Sequence, residues 1–438
     1  ANDEKIFPRI QNLNDEYKSG VPLINQQLIN RDEFLQCRNI INSGNSLIIH
    51  GKAGRGKSSC TFDIINHCIT NQIPYLAIKL DKRVPKKNAS FWGEELGFPS
   101  SIVHCINSIS KNKQAVLILD QLDALRWTQE VSHESLMVCS EIIRQVTNLN
   151  KERKCNISIV FVTRTYDLEN DRTIKQLFDY DDLNEITWEK VEIVELNEET
   201  VSSIVGEQYH NLTPKVKEVL KVPNNLYIWQ QLDSKKETFD FSSTGKLISE
   251  WWQQLCQKYI SFNLSDTELN SIKMKIVKWL EKNGKVFFPK KAFNISSRCL
   301  DYLVSNSFLI CQGEKYSFAH QSVLDYFIAE ELLKRYWNGE NIQELIGTKE
   351  NQTPRKRYQI QMFLEYLLEY NTEDFINVGQ ELFESNQIRF FLKYVFIEVL
   401  SQVDKIDKNI ETFILEKCDD KFYENMWKIL LKNGFYSG

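Results

Sequence analysis

Residues 51–58 read Gly51-Lys52-Ala53-Gly54-Arg55-Gly56-Lys57-Ser58, a complete G-x-x-x-x-G-K-S loop. No other feature constrains the fold of this chain as strongly. Such a loop works only between a buried strand and the first turn of a helix, and both flanks fit. Ser46-Leu47-Ile48-Ile49-His50 reads as the strand, and Ser59-Cys60-Thr61-Phe62-Asp63-Ile64-Ile65 as the helix. The glycines let successive backbone N–H groups turn inward around phosphates, and the helix N-terminus adds the positive end of its dipole. Nucleoside triphosphate binding follows, with contacts expected from Gly51, Ala53, Gly54, Arg55, Gly56, Lys57, Ser58 and Ser59. Lys57 would reach the β- and γ-phosphates, and the Ser58 hydroxyl would take one Mg²⁺ coordination position. Arg55 is exposed by its place in the loop and would contact either a phosphate or a neighbouring subunit.

A second signature supports the first. Ala115-Val116-Leu117-Ile118-Leu119-Asp120 is a continuous apolar run ending in a carboxylate, the pattern of a fully buried parallel strand. Asp120 then lies at the C-terminal end of a strand, where open α/β sheets place ligands, and would hold Mg²⁺ through water. Asp123 is a candidate to orient or deprotonate the attacking water; a helix-capping Asp would look the same. Ile157-Ser158-Ile159-Val160-Phe161-Val162-Thr163 reads as another central strand, with Arg164 at its end as a sensor of the γ-phosphate.

Together these residues resemble the STAND class of P-loop NTPases, which includes the NACHT and NB-ARC families, and look closest to bacterial NACHT-like antiviral proteins. The resemblance rests on Leu119-Asp120-Gln121-Leu122-Asp123, on Thr163-Arg164-Thr165, and on two later segments. Leu220-Lys221-Val222-Pro223-Asn224-Asn225-Leu226 looks like the segment whose proline packs on adenine. Phe318-Ala319-His320-Gln321-Ser322-Val323-Leu324-Asp325-Tyr326-Phe327-Ile328-Ala329 follows the pattern that ends the winged-helix module. The resemblance implies that His320 contacts the β-phosphate of ADP and that Arg31 lies near the base. It also implies an ATP/ADP-controlled switch, closed on ADP, that self-associates when a protein trigger acts on its C-terminal region. The family often carries a further acidic residue where this chain has Ala124, so slow hydrolysis is expected. The alternatives are a continuously hydrolysing AAA+-like motor and a winged-helix DNA-binding regulator.

An apolar fraction of 42% suits packed domains. The net charge of −5 argues against nucleic acid as a partner through overall charge. Lysines 273, 275, 278, 282, 285, 290 and 291 make one region locally basic, which reads as a solvated helix face. The ten cysteines are scattered, with no C-x-x-C pair, so a reducing cytoplasm is expected and neither a zinc site nor a disulfide framework is indicated. No run approaches the roughly 18 apolar residues needed to span a bilayer. Beginning at Ala1 rather than Met, the sequence reads as a processed or truncated chain.

The expected organisation is an α/β, doubly wound parallel sheet followed by smaller modules. Residues 1–28 read as a linker and 29–196 as the nucleotide-binding domain. Residues 197–245 read as a helical lid, 246–338 as a winged-helix domain, and 339–438 as the helical start of a sensor array. Pro74–Leu80 and Lys190–Leu196 supply the remaining strands of the sheet.

Overall fold

The aliphatic runs of the first half become five strands: β1 (Ser46–His50), β2 (Tyr75–Lys79), β3 (Ala115–Asp120), β4 (Ile157–Val162) and β5 (Trp188–Glu192). They form one sheet in the order β2-β3-β4-β1-β5, with every neighbouring pair parallel. This is a computed structural model of the chain. It describes residues 4–19, 24, 27–126, 129–179, 185–232, 239, 241–260, 266–293, 295–401, 403 and 408–418. The chain divides into two compact units, 1–247 and 248–438.

Every residue of β3 and β4 is buried, as expected of central parallel strands covered on both faces. Strand β5 covers Trp188–Glu192 rather than the expected Lys190–Leu196. Among the described residues its one sheet neighbour is β1, which pairs from Ser46↔Trp188 to His50↔Glu192 and then enters the phosphate loop. The partner strand, not the apolar pattern, therefore sets where β5 ends.

Helices cover the sheet on both faces. Here α1 is Ile6–Lys18, α2 Asp32–Asn42, α3 Lys57–Thr70, α4 Ala89–Glu95, α5 Ile102–Ser110 and α6 Gln129–Asn150. Residues of α4, α5 and α6, such as Trp92, Ile106 and Ile142, pack with Leu117 and Ile159 on one face. On the other face α2 and α3 bring Phe34, Cys37, Ile64 and Ile65 against Leu47, Val116 and Val160.

Helix α1 lies in the stretch expected to be a linker. It runs along β2, an edge strand, and its apolar residues Ile6, Ile10 and Leu13 join the first cluster while Tyr17 joins the second. Asn14 completes the edge. Its Nδ2 donates to the Tyr75 carbonyl at 3.0 Å and its Oδ1 accepts from the Ala77 N–H at 2.9 Å. One amide thus satisfies a donor and an acceptor that an uncovered edge strand would expose. The rest of 1–28 includes residues 1–3, 20–23 and 25–26, which lie outside the described residues.

After β4 come α7 (Thr165–Asn170) and α8 (Arg172–Leu177), the latter capped by Asp171. Three short helices then follow: α9 (Glu198–Val205), α10 (Pro214–Leu220) and α11 (Pro223–Trp229). Asn197 and Thr213 cap the first two, and α10 and α11 each open on proline, whose missing N–H costs nothing in a first turn.

Helix α12 (Thr244–Ile260) begins before the division at 247, and the second unit continues with α13 (Asp266–Lys282), β6 (Phe288–Pro289), α14 (Ser297–Ser305), β7 (Leu309–Gln312), β8 (Lys315–Phe318) and α15 (Gln321–Trp337). The strands form an antiparallel sheet in the order β6-β8-β7. The β7–β8 turn carries Gly313 at φ +63°, where a side chain would be strained. Lys273, expected on a solvated face, is instead buried. Its Nζ lies 3.4 Å from Glu330 and over the rings of Trp252 and Phe327, because α13 packs on α15. Helices α16 (Ile342–Ile346), α17 (Pro354–Tyr370), α18 (Thr372–Glu384), α19 (Phe390–Leu400) and α20 (Lys408–Cys418) complete the unit. The last part of the expected sensor array, 419–438, lies outside the described residues.

Candidate functional site

The site is built at the C-terminal ends of β1, β3 and β4. Gly56, at φ +92°, turns the loop into α3. Lys57 folds back over the loop and donates to the carbonyls of Gly51 and Lys52, each at 2.8 Å. Burial, and then the Arg164 charge, push its ammonium down to about 8. The half-buried Lys57 thus sits inside a cradle of backbone dipoles, poised to gain from any anion placed there.

Ser58 and Asp120 meet. The serine hydroxyl donates to Oδ2 of Asp120 at 3.1 Å, and the carboxylate is 1% exposed. The same oxygen accepts a hydrogen bond from the Tyr17 hydroxyl at 2.8 Å. Burial, and then the Asp120 charge, hold the Tyr17 phenol well above its usual range, so it is a protonated donor. Asp123 stands in the 3₁₀ turn Leu122–Arg126, and Arg164 lies between β4 and α7. They form a buried ion pair, with Arg164 Nε 3.1 Å from Asp123 Oδ2.

The flank of the loop is closed by residues from later in the chain. The Asn224 N–H donates to the Gly54 carbonyl at 3.1 Å. A methyl group added at Gly54 would meet Val222 at 3.1 Å and Asn224 at 3.2 Å, and one at Gly56 would meet Pro223 at 3.7 Å. Pro223 therefore rests on the phosphate loop itself. Arg31 braces the same region, donating to the Arg55 carbonyl at 2.9 Å, to the Val194 carbonyl at 2.6 Å and to Glu33 at 2.7 Å. Arg55, expected to be exposed, is half-buried and paired with Glu195; burial, and then Arg31, lower it to about 10. Gly51, Ala53 and Ser59 take their places in the loop and the first turn of α3. His320 lies in the second unit, immediately before α15.

Two further residues at the site have only weak signals in the sequence. Tyr17 lies in the stretch expected to be a linker, although Ile6, Ile10, Leu13 and Tyr17 recur at helical spacing and mark an apolar helix face. Asp81 follows β2, and burial pushes its carboxyl up to about 6. With the Gln121 amide oriented to satisfy both groups, its nitrogen donates to Asp81 at 2.9 Å. Its signal was an acidic residue just beyond a strand adjacent to β3.

Residues 47–180 match the model of the family described as ATPase family associated with various cellular activities (AAA). The chain carries an AAA-type P-loop ATPase domain. No curated protein sequence matches it. Among solved structures it is similar to the Walker-type ATPase PABY2304 of Pyrococcus abyssi, at 12% identity over 69% of this chain and 96% of that one, with a TM-score of 0.38. It is also similar to the STAND protein with a tetratricopeptide repeat sensor, PH0952, from Pyrococcus horikoshii. There the identity is 13% over 96% of this chain and 60% of that one, with a TM-score of 0.41. A third similar structure is the Aeropyrum pernix ORC1 protein in complex with DNA, at 10% identity over 71% of this chain and 95% of that one, with a TM-score of 0.30. At such identities and scores the likenesses assign neither substrate nor partner.

They nonetheless correct one expectation. The overall charge of −5 is not a reason to set nucleic acid aside, since a protein of this set was solved on DNA. Among the described residues, no helix is long and apolar enough to cross a membrane.

Proposed function

We propose that the chain is an AAA+-like module that binds ATP with Mg²⁺ and hydrolyses it. The observation that carries this reading is the meeting of the Ser58 hydroxyl and the Asp120 carboxylate at 3.1 Å beside Lys57. Among the described residues no cluster of three His, Cys, Asp or Glu side chains forms a metal cage. A hydroxyl and a carboxylate fit Mg²⁺, which prefers oxygen ligands and keeps most of its water. When bound, the ion would neutralise charge on the β- and γ-phosphate oxygens. Lys57 would leave the Gly51 and Lys52 carbonyls for those phosphates. Asp123 would orient water, and Arg164 would sense the γ-phosphate. Pro223 and Arg31 would set the adenine side of the site.

The test is steady-state hydrolysis of ATP by the purified chain with and without Mg²⁺, repeated on Asp120→Asn. Mg²⁺-dependent turnover is expected to fall at least roughly tenfold in the variant, with metal-free ADP affinity held within about twofold. Equal effects with and without Mg²⁺ would remove Asp120 from the metal.

The Asp123–Arg164 pair and Ala124 favour a second reading, a slow nucleotide switch. The Asp123 oxygen is turned to Arg164 rather than to water while the pair holds. In that reading the chain retains ADP through purification, and ATP exchange drives self-association. The order of helices and strands from 266 to 318 supports a winged-helix module there, and His320→Ala would speed ADP release. Several turnovers per minute by the unmodified chain would exclude the switch.

A further inference from the structure

The hydrogen bond from Tyr17 to Asp120 joins residues 103 positions apart and connects the edge helix to the nucleotide site. Three observations bear on what it does. First, Tyr17 is 2% exposed and its hydroxyl has two partners, Asp120 Oδ2 at 2.8 Å and Thr61 Oγ1 at 2.5 Å. Thr61 in turn donates to the Ser58 carbonyl at 2.8 Å. With the Thr61 proton engaged there, the phenol proton lies between a neutral hydroxyl oxygen and a carboxylate, and the charged acceptor holds it more strongly. Second, Asp120 Oδ2 receives only two side-chain donors among the described contacts, Tyr17 and Ser58. If the serine hydroxyl turns to a metal, Tyr17 is the side-chain donor left to hold the carboxylate. Third, the helix that carries Tyr17 is anchored. Asn14 binds the β2 backbone twice, Glu16 pairs with Arg83 at 2.7 Å, and Arg9 donates to the Leu96 carbonyl.

We propose that Tyr17 is a positioning residue of the nucleotide site, through which the edge helix α1 holds the Asp120 carboxylate in the orientation that receives a hydrated divalent cation. The inference rests on the reading of Asp120 as a metal-supporting carboxylate. Tyr17 touches neither nucleotide nor metal; it acts through Asp120. Because coupling is reciprocal, a bound cation also tightens α1 against β2.

The experiment uses the full chain and Tyr17→Phe, which keeps the ring and removes the hydroxyl. Calorimetry with a non-hydrolysable ATP analogue is run with and without Mg²⁺, and turnover is measured across Mg²⁺ concentrations. The Mg²⁺ needed for half-maximal turnover is expected to rise roughly 10- to 100-fold, the range of one hydrogen bond to a charged group. The Mg²⁺-dependent gain in analogue affinity falls by a similar factor, while metal-free ADP affinity stays within about twofold. In an Asp120→Asn background, Tyr17→Phe should add nothing further. An unchanged Mg²⁺ requirement, an equal loss of metal-free affinity, or full additivity with Asp120→Asn would each overturn the proposal. Failure of the underlying reading looks different, because Asp120→Asn would then itself leave the Mg²⁺ dependence untouched. If Tyr17→Phe does not fold, hydrogen exchange on the unmodified chain decides. Residues 6–18 should exchange more slowly with Mg²⁺ and analogue than with analogue alone, and identical exchange would overturn the proposal.

Discussion

The guanidinium Nε of Arg164 lies 3.1 Å from Oδ2 of Asp123, and both side chains are buried. Each was expected to act on the γ-phosphate side of the site, and here each neutralises the other. Removing one partner leaves a buried charge alone, which costs about 3–5 kcal/mol. Arg164→Ala should therefore lose about that much stability in urea denaturation, and Asp123→Asn with Arg164→Gln together should lose less than the sum of the single changes. A loss under about 1 kcal/mol for Arg164→Ala would mean that water reaches the pair.

Lys57→Ala should weaken ATP binding by about 10- to 100-fold. The variant removes the cation that now sits on the Gly51 and Lys52 carbonyls, and charge-assisted contacts of this type are worth about 1.5–3 kcal/mol. Titration calorimetry checks it. Unchanged affinity would place the nucleotide elsewhere.

Asn14→Ala should destabilise the first unit by about 2 kcal/mol. It removes two hydrogen bonds, at 3.0 and 2.9 Å, and leaves the Ala77 N–H and Tyr75 carbonyl of β2 without them. Hydrogen exchange at Ala77 should accelerate along with the global loss. Wild-type protection there would mean that the edge has another cover.

Glu365 provides a pH signature in the second unit. It lies on α17, accepts from Gln361 at 3.0 Å, and faces Glu398 and Glu369; Glu398 is itself paired with Arg357. Burial, opposed by the Gln361 hydrogen bond and reinforced by the two glutamates, pushes its carboxyl from 4.5 up to about 7. Between those values the folded chain binds more protons than the unfolded chain, so stability falls as pH rises through the window and the penalty is complete above it. Glu365→Gln should abolish that slope and gain up to about 2–3 kcal/mol at pH 8. Urea midpoints at pH 5 and pH 8 for both proteins test it, and parallel pH dependence in the two would assign the slope to other groups.

Much of the nucleotide core was legible because its signals are local. A phosphate loop must carry glycines, a lysine and a hydroxyl in fixed order, and its neighbours must be a strand and a helix. Strands β1 to β4 are legible for a related reason: they are buried on both faces and so read as largely apolar runs, β2 because α1 covers its edge. Strand β5 lacks that pattern because most of its residues face solvent. Two of its five residues are exposed glutamates and one an exposed lysine, and its limits come from pairing with β1.

By itself the sequence determined that this chain holds a phosphate loop on a parallel α/β sheet, with Ser58 in the first turn of the helix after the loop and Asp120 at a strand end. Only the tertiary structure decided that Asp123 meets Arg164, that Pro223 rests on the loop beside Gly56, and that Tyr17 reaches Asp120 from a helix in the stretch expected to be a linker. The physical reason is range. A loop or a strand is chosen by neighbours a few residues away, whereas these contacts join distant segments and exist only once the sheet has brought its strand ends and its covered edge together.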